Sequence, residues 1–229
     1  MTIPQLIEKL QKYNVIGVMS GTSLDGLDLA YCTLEKREKK IITTNSLSGK
    51  WKYKIHQAKT IPYSSYWKNK LIYAHKLFEH EMVLIDCEYG HFIGKEIKKF
   101  ILQNHLHPDF ISSHGHTVFH QPEKKITFQI GNGTTISEVC RLPVVCNFRI
   151  GDVALGGQGA PLVPIADKLL FSEYKFCLNL GGFANISYDD KTGNRIAFDI
   201  CPTNIVLNYL SGLAGKEFDT KPHSIFIRH

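Results

Sequence analysis

The spacing of apolar positions changes several times along the chain, and each change predicts a different element. An apolar run, Val15-Ile16-Gly17-Val18-Met19, gives way to the polar, glycine-flanked stretch Ser20–Gly26 and resumes from Leu27 to Leu34. That is the pattern of two strands joined as a β-hairpin. Ahead of it, Ile3, Leu6, Ile7 and Leu10 share one face of a short helix over 3–12. Charged residues 35–40 lead to a third strand, Ile41 to Leu47. From about Trp67 to Leu102 the period lengthens. Ala74, Leu77, Met82, Ile85, Tyr89, Ile93 and Ile97 recur at helical steps among lysines and glutamates. Gly90 and Gly94 argue against one unbroken helix there.

Beyond Pro108 the pattern predicts a buried strand, Phe110–Ser112, and a hairpin of Thr117–His120 and Lys125–Ile130 turning at Gln121–Lys124. A helix over 134–141 and a strand Pro143–Cys146 follow. Residues 151–164 are too rich in Gly and Pro for a helix or a central strand. Strands Phe176–Leu180, Ala184–Tyr188 and Arg195–Asp199, with turns at Gly181-Gly182 and Asp189–Asn194, lead to a helix from about Thr203. A strand meander followed by alternating strands and helices predicts an α/β fold, a mixed sheet covered by helices.

Composition narrows the class. With 229 residues, 43% hydrophobic and 21% charged, the chain suits one large globular domain, or one domain plus part of another. Its net charge of +6 is spread out, and the densest runs, 36–40 and 95–99, each contain a Glu. They read as solvated turn and outer helix face, and no nucleic-acid recognition motif accompanies them. Six cysteines occur without a C-x-x-C pair, several of them in apolar runs. Together with the absence of a signal-peptide pattern, this predicts a reduced, cytoplasmic protein. No apolar run approaches the ~20 residues that span a bilayer, so no membrane association is expected.

Several polar clusters carry candidate chemistry. In Ser20–Asp28, the glycines permit positive φ, and Thr22 and Ser23 add hydroxyls to backbone N–H groups that together can nest phosphate oxygens. There is no lysine and no G-x-x-x-x-G-K-[ST] spacing, so this is no Walker loop, and a plain hairpin turn is the competing reading. Asp199 ends a strand and Asn204 opens a helix after Pro202-Thr203. A carboxylate there lies where α/β sheets bind ligands and suits a general base, the competing role being a helix cap. Thr203 is the candidate cap residue, with Asn204 close to any bound anion. His114, His116 and His120 could share a strand face for zinc. No carboxylate or Cys joins them locally, so sugar-contacting or core roles are preferred and no metal ligand is assigned. Arg149 and Asp152 offer charged hydrogen bonds beside the glycine-rich stretch Gly151–Gly159. Asn179–Asn185 places a Gly-Gly turn between strands.

Taken together, these segments resemble the anhydro-N-acetylmuramic acid kinases of the sugar kinase/Hsp70/actin superfamily, from about residue 14 to 218. The motifs are Ile16–Asp28, Ser113-His114-Gly115-His116-Thr117, Val153–Pro164, Asn179–Asn185 and Phe198-Asp199, in that order. The resemblance implies a ribonuclease-H-like (actin/hexokinase-type) mixed sheet with flanking helices, the second lobe largely missing. It implies ATP and Mg²⁺ as cofactors and phosphoryl transfer to O6 of 1,6-anhydro-N-acetylmuramic acid. Water opens the anhydro ring at the same time, giving N-acetylmuramic acid 6-phosphate in peptidoglycan recycling. Gly21, Thr22, Ser23, Leu24, Asp25, Gly26, Leu27 and Asp28 match the phosphate-binding hairpin, and Asp199 matches the general base. His114, Thr127, Arg149, Asp152 and Asn204 are the expected sugar contacts, and the family allows a homodimer. The chemistry requires the turn after the first strand to face Asp199 across a cleft.

The chain departs from the family at three internal points. Cys201-Pro202-Thr203-Asn204 stands for Gly-Pro-Gly-Asn, His116 for a common Gln, and Asn147 for a commonly acidic residue. After Gly215–Asp219 the familiar pattern stops. The expected division is an amino-terminal lobe over 1–218 and an atypical tail over 219–229, with a frameshift or early stop as its origin. An inactive, truncated sugar-binding fragment is the alternative to a working kinase.

Overall fold

The computed structural model describes residues 12–21, 24–36, 51–160, 162–213 and 215. The chain divides into two compact units, 1–170 and 171–229. Sheet order in the first unit follows directly from the hairpin pattern. Strand β1 (Lys12–Ser20) pairs antiparallel with β2 (Gly26–Lys36), and β2 with β3 (Trp51–Pro62). On its other side β1 pairs parallel with β4 (Phe110–Gln121), which turns back antiparallel into β5 (Ile126–Ile130). The short β6 (Val144–Val145) adds a parallel pair to β4. The resulting mixed sheet runs β3-β2-β1-β4-β5, the α/β architecture expected from the sequence.

Helices α1 (Ser65–Tyr73) and α2 (Glu79–Gln103) lie between β3 and β4 in sequence and cover the sheet. Ile85, Tyr89, Ile93, Ile97 and Phe100 recur every three or four residues on α2, and all are buried with Ile16, Val18, Leu27, Leu29 and Ile111. Side chains of this kind each stabilise by about 1.5–3 kcal/mol when fully buried, so this stripe and the sheet face beneath it form the core. The helical run does break, but not at Gly90 or Gly94. Residues 74–76 form a 3₁₀ turn and Phe78 is extended, its N–H donating to Glu81 Oε2 at 3.0 Å to restart the helix. Gly90 and Gly94 stay helical and give room to α3 (Gly133–Cys140) and the residue before it. A Cβ on Gly90 would lie 2.9 Å from the Asn132 carbonyl oxygen, and one on Gly94 2.8 Å from Val139 Cβ.

Other expectations shift. Of the helix expected over 3–12, only Lys12 is among the described residues, and it opens β1. The strand expected over 41–47 also lies outside them. Strand β3 gave no apolar signal because it is an edge strand, exposed at most positions on both faces. The stretch 151–164 is partly helical after all: α4 (Phe148–Ala154) and α5 (Val163–Leu170) flank it. Between them Gly156 (φ +89°) and Gly159 (φ +63°) take up the left-handed region that favours glycine, and Pro164 sits in the first turn of α5, where a missing N–H is harmless.

The second unit holds an antiparallel sheet, β7 (Phe176–Leu180), β8 (Phe183–Asp189) and β9 (Arg195–Pro202), followed by α6 (Asn204–Leu213). Among its described residues only Ala184 and Ser187 are buried, while Phe176, Leu178, Leu180, Phe198 and Ile200 are exposed.

Candidate active site

The β1–β2 hairpin closes on the pair Ser20↔Leu27, leaving Gly21–Asp25 as its turn. Leu24 adopts φ +56° and its N–H reaches the Gly21 carbonyl at 3.3 Å; Asp25 Oδ1 accepts from the Gly26 N–H at 3.1 Å. Gly26 is required sterically, since a Cβ there would stand 2.7 Å from the Ile61 carbonyl oxygen. Leu27 is fully buried and anchors the turn to the core. Asp28 accepts from Thr60 Oγ1 on β3 at 2.5 Å. Thr22 and Ser23, the hydroxyl pair expected to bind phosphate, lie outside the described residues.

Beneath the turn runs a buried polar chain. Ser20 Oγ stands 3.0 Å from His116 Nδ1 and accepts from Tyr63 at 2.8 Å; the Tyr63 and Tyr89 hydroxyls are 2.6 Å apart. Burial raises the pKa of both phenols and depresses that of His116 to about 4, with His114 adding a smaller push downward. All members are therefore neutral near pH 7. The one signal available was chemical: Tyr89 occupies the buried stripe of a helix, and a buried phenol needs a partner.

A second cluster gathers three of the expected sugar contacts. His114 is buried, and its Nδ1 lies 2.9 Å from the Gly115 carbonyl, so that nitrogen carries the proton. Its Nε2 then accepts from Arg149 Nε at 3.0 Å. Desolvation holds both His114 and Arg149 below their ordinary pKa values, so the imidazole is the neutral partner in this contact. Arg149 also donates to the Gly159 carbonyl at 2.7 Å, and the Gly159 N–H donates to Asp152 Oδ2 at 2.6 Å. Arg149 and Asp152 thus hold the glycine-rich loop from both sides. A Cβ on Gly157 would meet the Asp152 carboxylate at 2.3 Å, which explains one of the glycines. Gly115, at φ +72°, passes so close to Ile130 that a Cβ would lie 2.5 Å from its carbonyl oxygen.

Thr127 lies apart from that cluster, on β5. It is buried, accepts from Gln129 Nε2 at 2.8 Å, and its Oγ1 is 3.2 Å from His120 Nδ1. The three histidines therefore have three separate partners. Among the described residues no group of three or more His, Cys, Asp or Glu could hold a metal ion.

In the second unit Asp199 is exposed on β9 and pairs with Asn185, at a register shift that leaves Ile200 out of step. Thr203 stands at the cap position of the following helix, and its carbonyl accepts from the Val206 and Leu207 N–H groups at 3.0 and 2.9 Å. Its hydroxyl does not turn to the helix but donates to the Gly181 carbonyl at 2.6 Å, while the N–H groups of Thr203 and Asn204 donate to the carbonyls of Gly182 and Gly181 at 2.8 and 3.1 Å. The Gly-Gly turn is thereby clasped to the start of α6, and Asn204 is exposed at that helix's first position.

The family model described as anhydro-N-acetylmuramic acid kinase matches residues 13–224. The chain belongs to the anhydro-N-acetylmuramic acid kinase family. A curated relative of that name from Rhodopseudomonas palustris is 37% identical over 218 residues, covering 89% of this chain and 57% of the relative. Relatives of the same name from Methylobacterium nodulans and Francisella tularensis subsp. novicida are 33% and 35% identical, covering 90% and 84% of this chain and 59% and 52% of their own lengths. The chain spans little more than half the length of these curated relatives. For this member of the anhydro-N-acetylmuramic acid kinase family, the first unit carries the hairpin, the histidines and the glycine-rich loop, and the second carries Asp199 and Asn204.

Proposed function

We propose that this chain serves as an ATP-dependent anhydro-N-acetylmuramic acid kinase in the cytoplasm. It phosphorylates O6 of 1,6-anhydro-N-acetylmuramic acid while water opens the anhydro ring, giving N-acetylmuramic acid 6-phosphate for peptidoglycan recycling. The observation that carries this reading is family membership over nearly the whole chain, joined to a hairpin in which Leu24 has positive φ and Gly26 passes close to the Ile61 carbonyl.

In this reading Asp199 takes a proton from the attacking water. The water oxygen bonds to C1, the C1–O6 bond breaks, and O6 takes the γ-phosphoryl group as ADP leaves. Positive charge grows at C1 and negative charge on the phosphoryl oxygens, so a carboxylate near the first and N–H donors near the second lower the barrier. Residues Gly21–Asp28 present the hairpin N–H groups to the phosphates. His114, Thr127, Arg149, Asp152 and Asn204 are the residues we assign to the sugar. Arg149 and Asp152 do so at least partly through the loop they hold at Gly159.

Mg²⁺ commonly takes one or two carboxylates and completes its shell with phosphate oxygens and water. Asp25, an exposed carboxylate within the turn, fits that donor set and would hold the ion, which neutralises charge on the transferring phosphoryl group. Incubating the purified chain with ATP, Mg²⁺ and the anhydro sugar is expected to release ADP. Sugar binding without ADP would favour the second reading, a sugar-binding chain without turnover. Neither binding nor ADP release would remove both.

A further inference from the structure

Among the described residues, five that are not glycine have positive φ: Leu24, His105, Lys125, Arg141 and Asn147. Leu24 is the one apolar member of that group. Left-handed backbone suits Gly, or Asn and Asp, whose short polar side chains can bond locally, whereas other residues are strained by their Cβ. The turn of the β1–β2 hairpin therefore carries a residue that local geometry disfavours. A local rule broken at one position points to a compensating contact elsewhere. The bond from the Leu24 N–H to the Gly21 carbonyl, at 3.3 Å, does not supply it, because Gly or Asn would make the same bond.

The compensation lies in the leucine side chain. Leu24 is half-buried and packs against the core of the first unit. It forms one wall of an open hollow of about 240 Å³, whose other walls include Leu71 and Ile72 of α1 and Val118 of β4. The same hollow is tied to the start of the turn. His116, also on its wall, stands 3.0 Å from the hydroxyl of Ser20, the last residue of β1. The turn is thus gripped at both ends, by a polar contact where it begins and an apolar one where it returns. Half-burying a leucine gains free energy of the same order as left-handed φ costs, so the conformation depends on the contact.

We propose that Leu24 is a positioning residue: its side chain, seated in the hollow formed with Leu71, Ile72 and Val118, holds residue 24 left-handed and fixes the direction in which Asp25 and Gly26 leave the turn. The backbone over 24–26 is then ordered before any ligand arrives, and binding does not have to order it. That the ligand is the phosphate chain of ATP rests on the kinase reading. The anchor itself does not.

Amide ¹⁵N order parameters of the 229-residue chain separate anchoring by the side chain from backbone preference. Residues 24 and 26 are expected near the rigid-backbone value of about 0.85 in the unsubstituted chain and in Leu24→Met, whose unbranched side chain the open hollow can take. In Leu24→Asn and Leu24→Gly, which suit left-handed φ but lose the anchor, they should fall below about 0.6. Ile72→Ala, a change on α1 outside the hairpin, should lower them in the same direction, with the α2 amides reporting that the fold is intact. ATP with Mg²⁺ should bind the Asn and Gly variants about tenfold more weakly, the loss of roughly half a buried leucine, and Met should restore the affinity. An Asn or Gly variant as ordered as the unsubstituted chain, low order in that chain itself, or an unchanged turn in Ile72→Ala would overturn the anchor. A loosened turn with unchanged ATP affinity would overturn the positioning role. No ATP binding by any form, with order still lost in Asn and Gly, would sink the phosphate assignment and leave the anchor standing.

Discussion

His116 pairs deep burial with a site at the foot of the hairpin, and its titration has a cost that can be measured. In the unfolded chain it takes up a proton near 6.5, whereas in the folded protein burial delays this to about 4. Between those values the unfolded state binds more protons, so stability rises with pH across the window and falls as pH drops through it. Urea unfolding from pH 6.5 down to 4 should show that loss, and His116→Gln should remove on the order of 3 kcal/mol of it. His114 shifts in the same direction and should leave a smaller residual slope. Asp199 makes a different prediction. In a protein that turns over, Asp199→Asn should lower kcat by about 10²–10⁴-fold with little change in sugar KM, as read from initial rates. Normal turnover would end the base assignment. At this scale the sequence was informative about which residues were polar and clustered, but silent about partners. His114 and Arg149 were both singled out, yet their contact joins residues 35 apart, and no spacing rule brings them together.

Elements were legible where one face was buried. The α2 stripe and the β1–β2 hairpin show the period of their structure, because a buried face must be apolar at every second, or every third or fourth, position, whereas β7 keeps the strand alternation at Phe176, Leu178 and Leu180 although those residues are exposed. Strand β3 lacks that imprint because it is exposed on both faces, so composition alone could not mark it. Gly90 and Gly94 misled for a related reason: helix propensity is a local quantity, whereas their absence of side chain serves a neighbour. Gly94→Ala should gain up to about 1 kcal/mol of propensity and still destabilise, because its Cβ would meet Val139 Cβ at 2.8 Å. Chemical denaturation of the pair Gly94→Ala and Val139→Ala should then show favourable coupling of about 1 kcal/mol or more. Simple additivity would show that α2 and α3 part without strain.

Across the whole molecule, the two units differ in how much they bury. The first holds Ile16, Leu27, Tyr89, Ile93, Ile97, Ile111 and Ile130 at 1% exposure or less, and the second holds only Ala184 and Ser187 below one-tenth among its described residues. Opening free energy follows buried apolar contact, so amide hydrogen exchange should be slowest in β1, β4 and α2 and much faster in β7–β9. Equal protection in both units would show that apolar area does not govern their relative stability. The exposed Phe176, Leu178, Leu180, Phe198 and Ile200 make the second unit the expected origin of any aggregation at high concentration.

The α/β class, the family and the polar clusters were legible in the sequence alone, since each rests on local period or on motifs that are continuous in the chain, whereas β3 and the helices flanking the glycine-rich loop were not. Only the tertiary structure decided which polar groups meet. The chain from Tyr89 through Tyr63 and Ser20 to His116 draws on α2, the segment after β3, β1 and β4, four pieces separated by up to 96 residues. Burial there removes water as a partner and obliges each hydroxyl to find another in the protein. That obligation acts through space, and leaves no periodic trace in the order of residues.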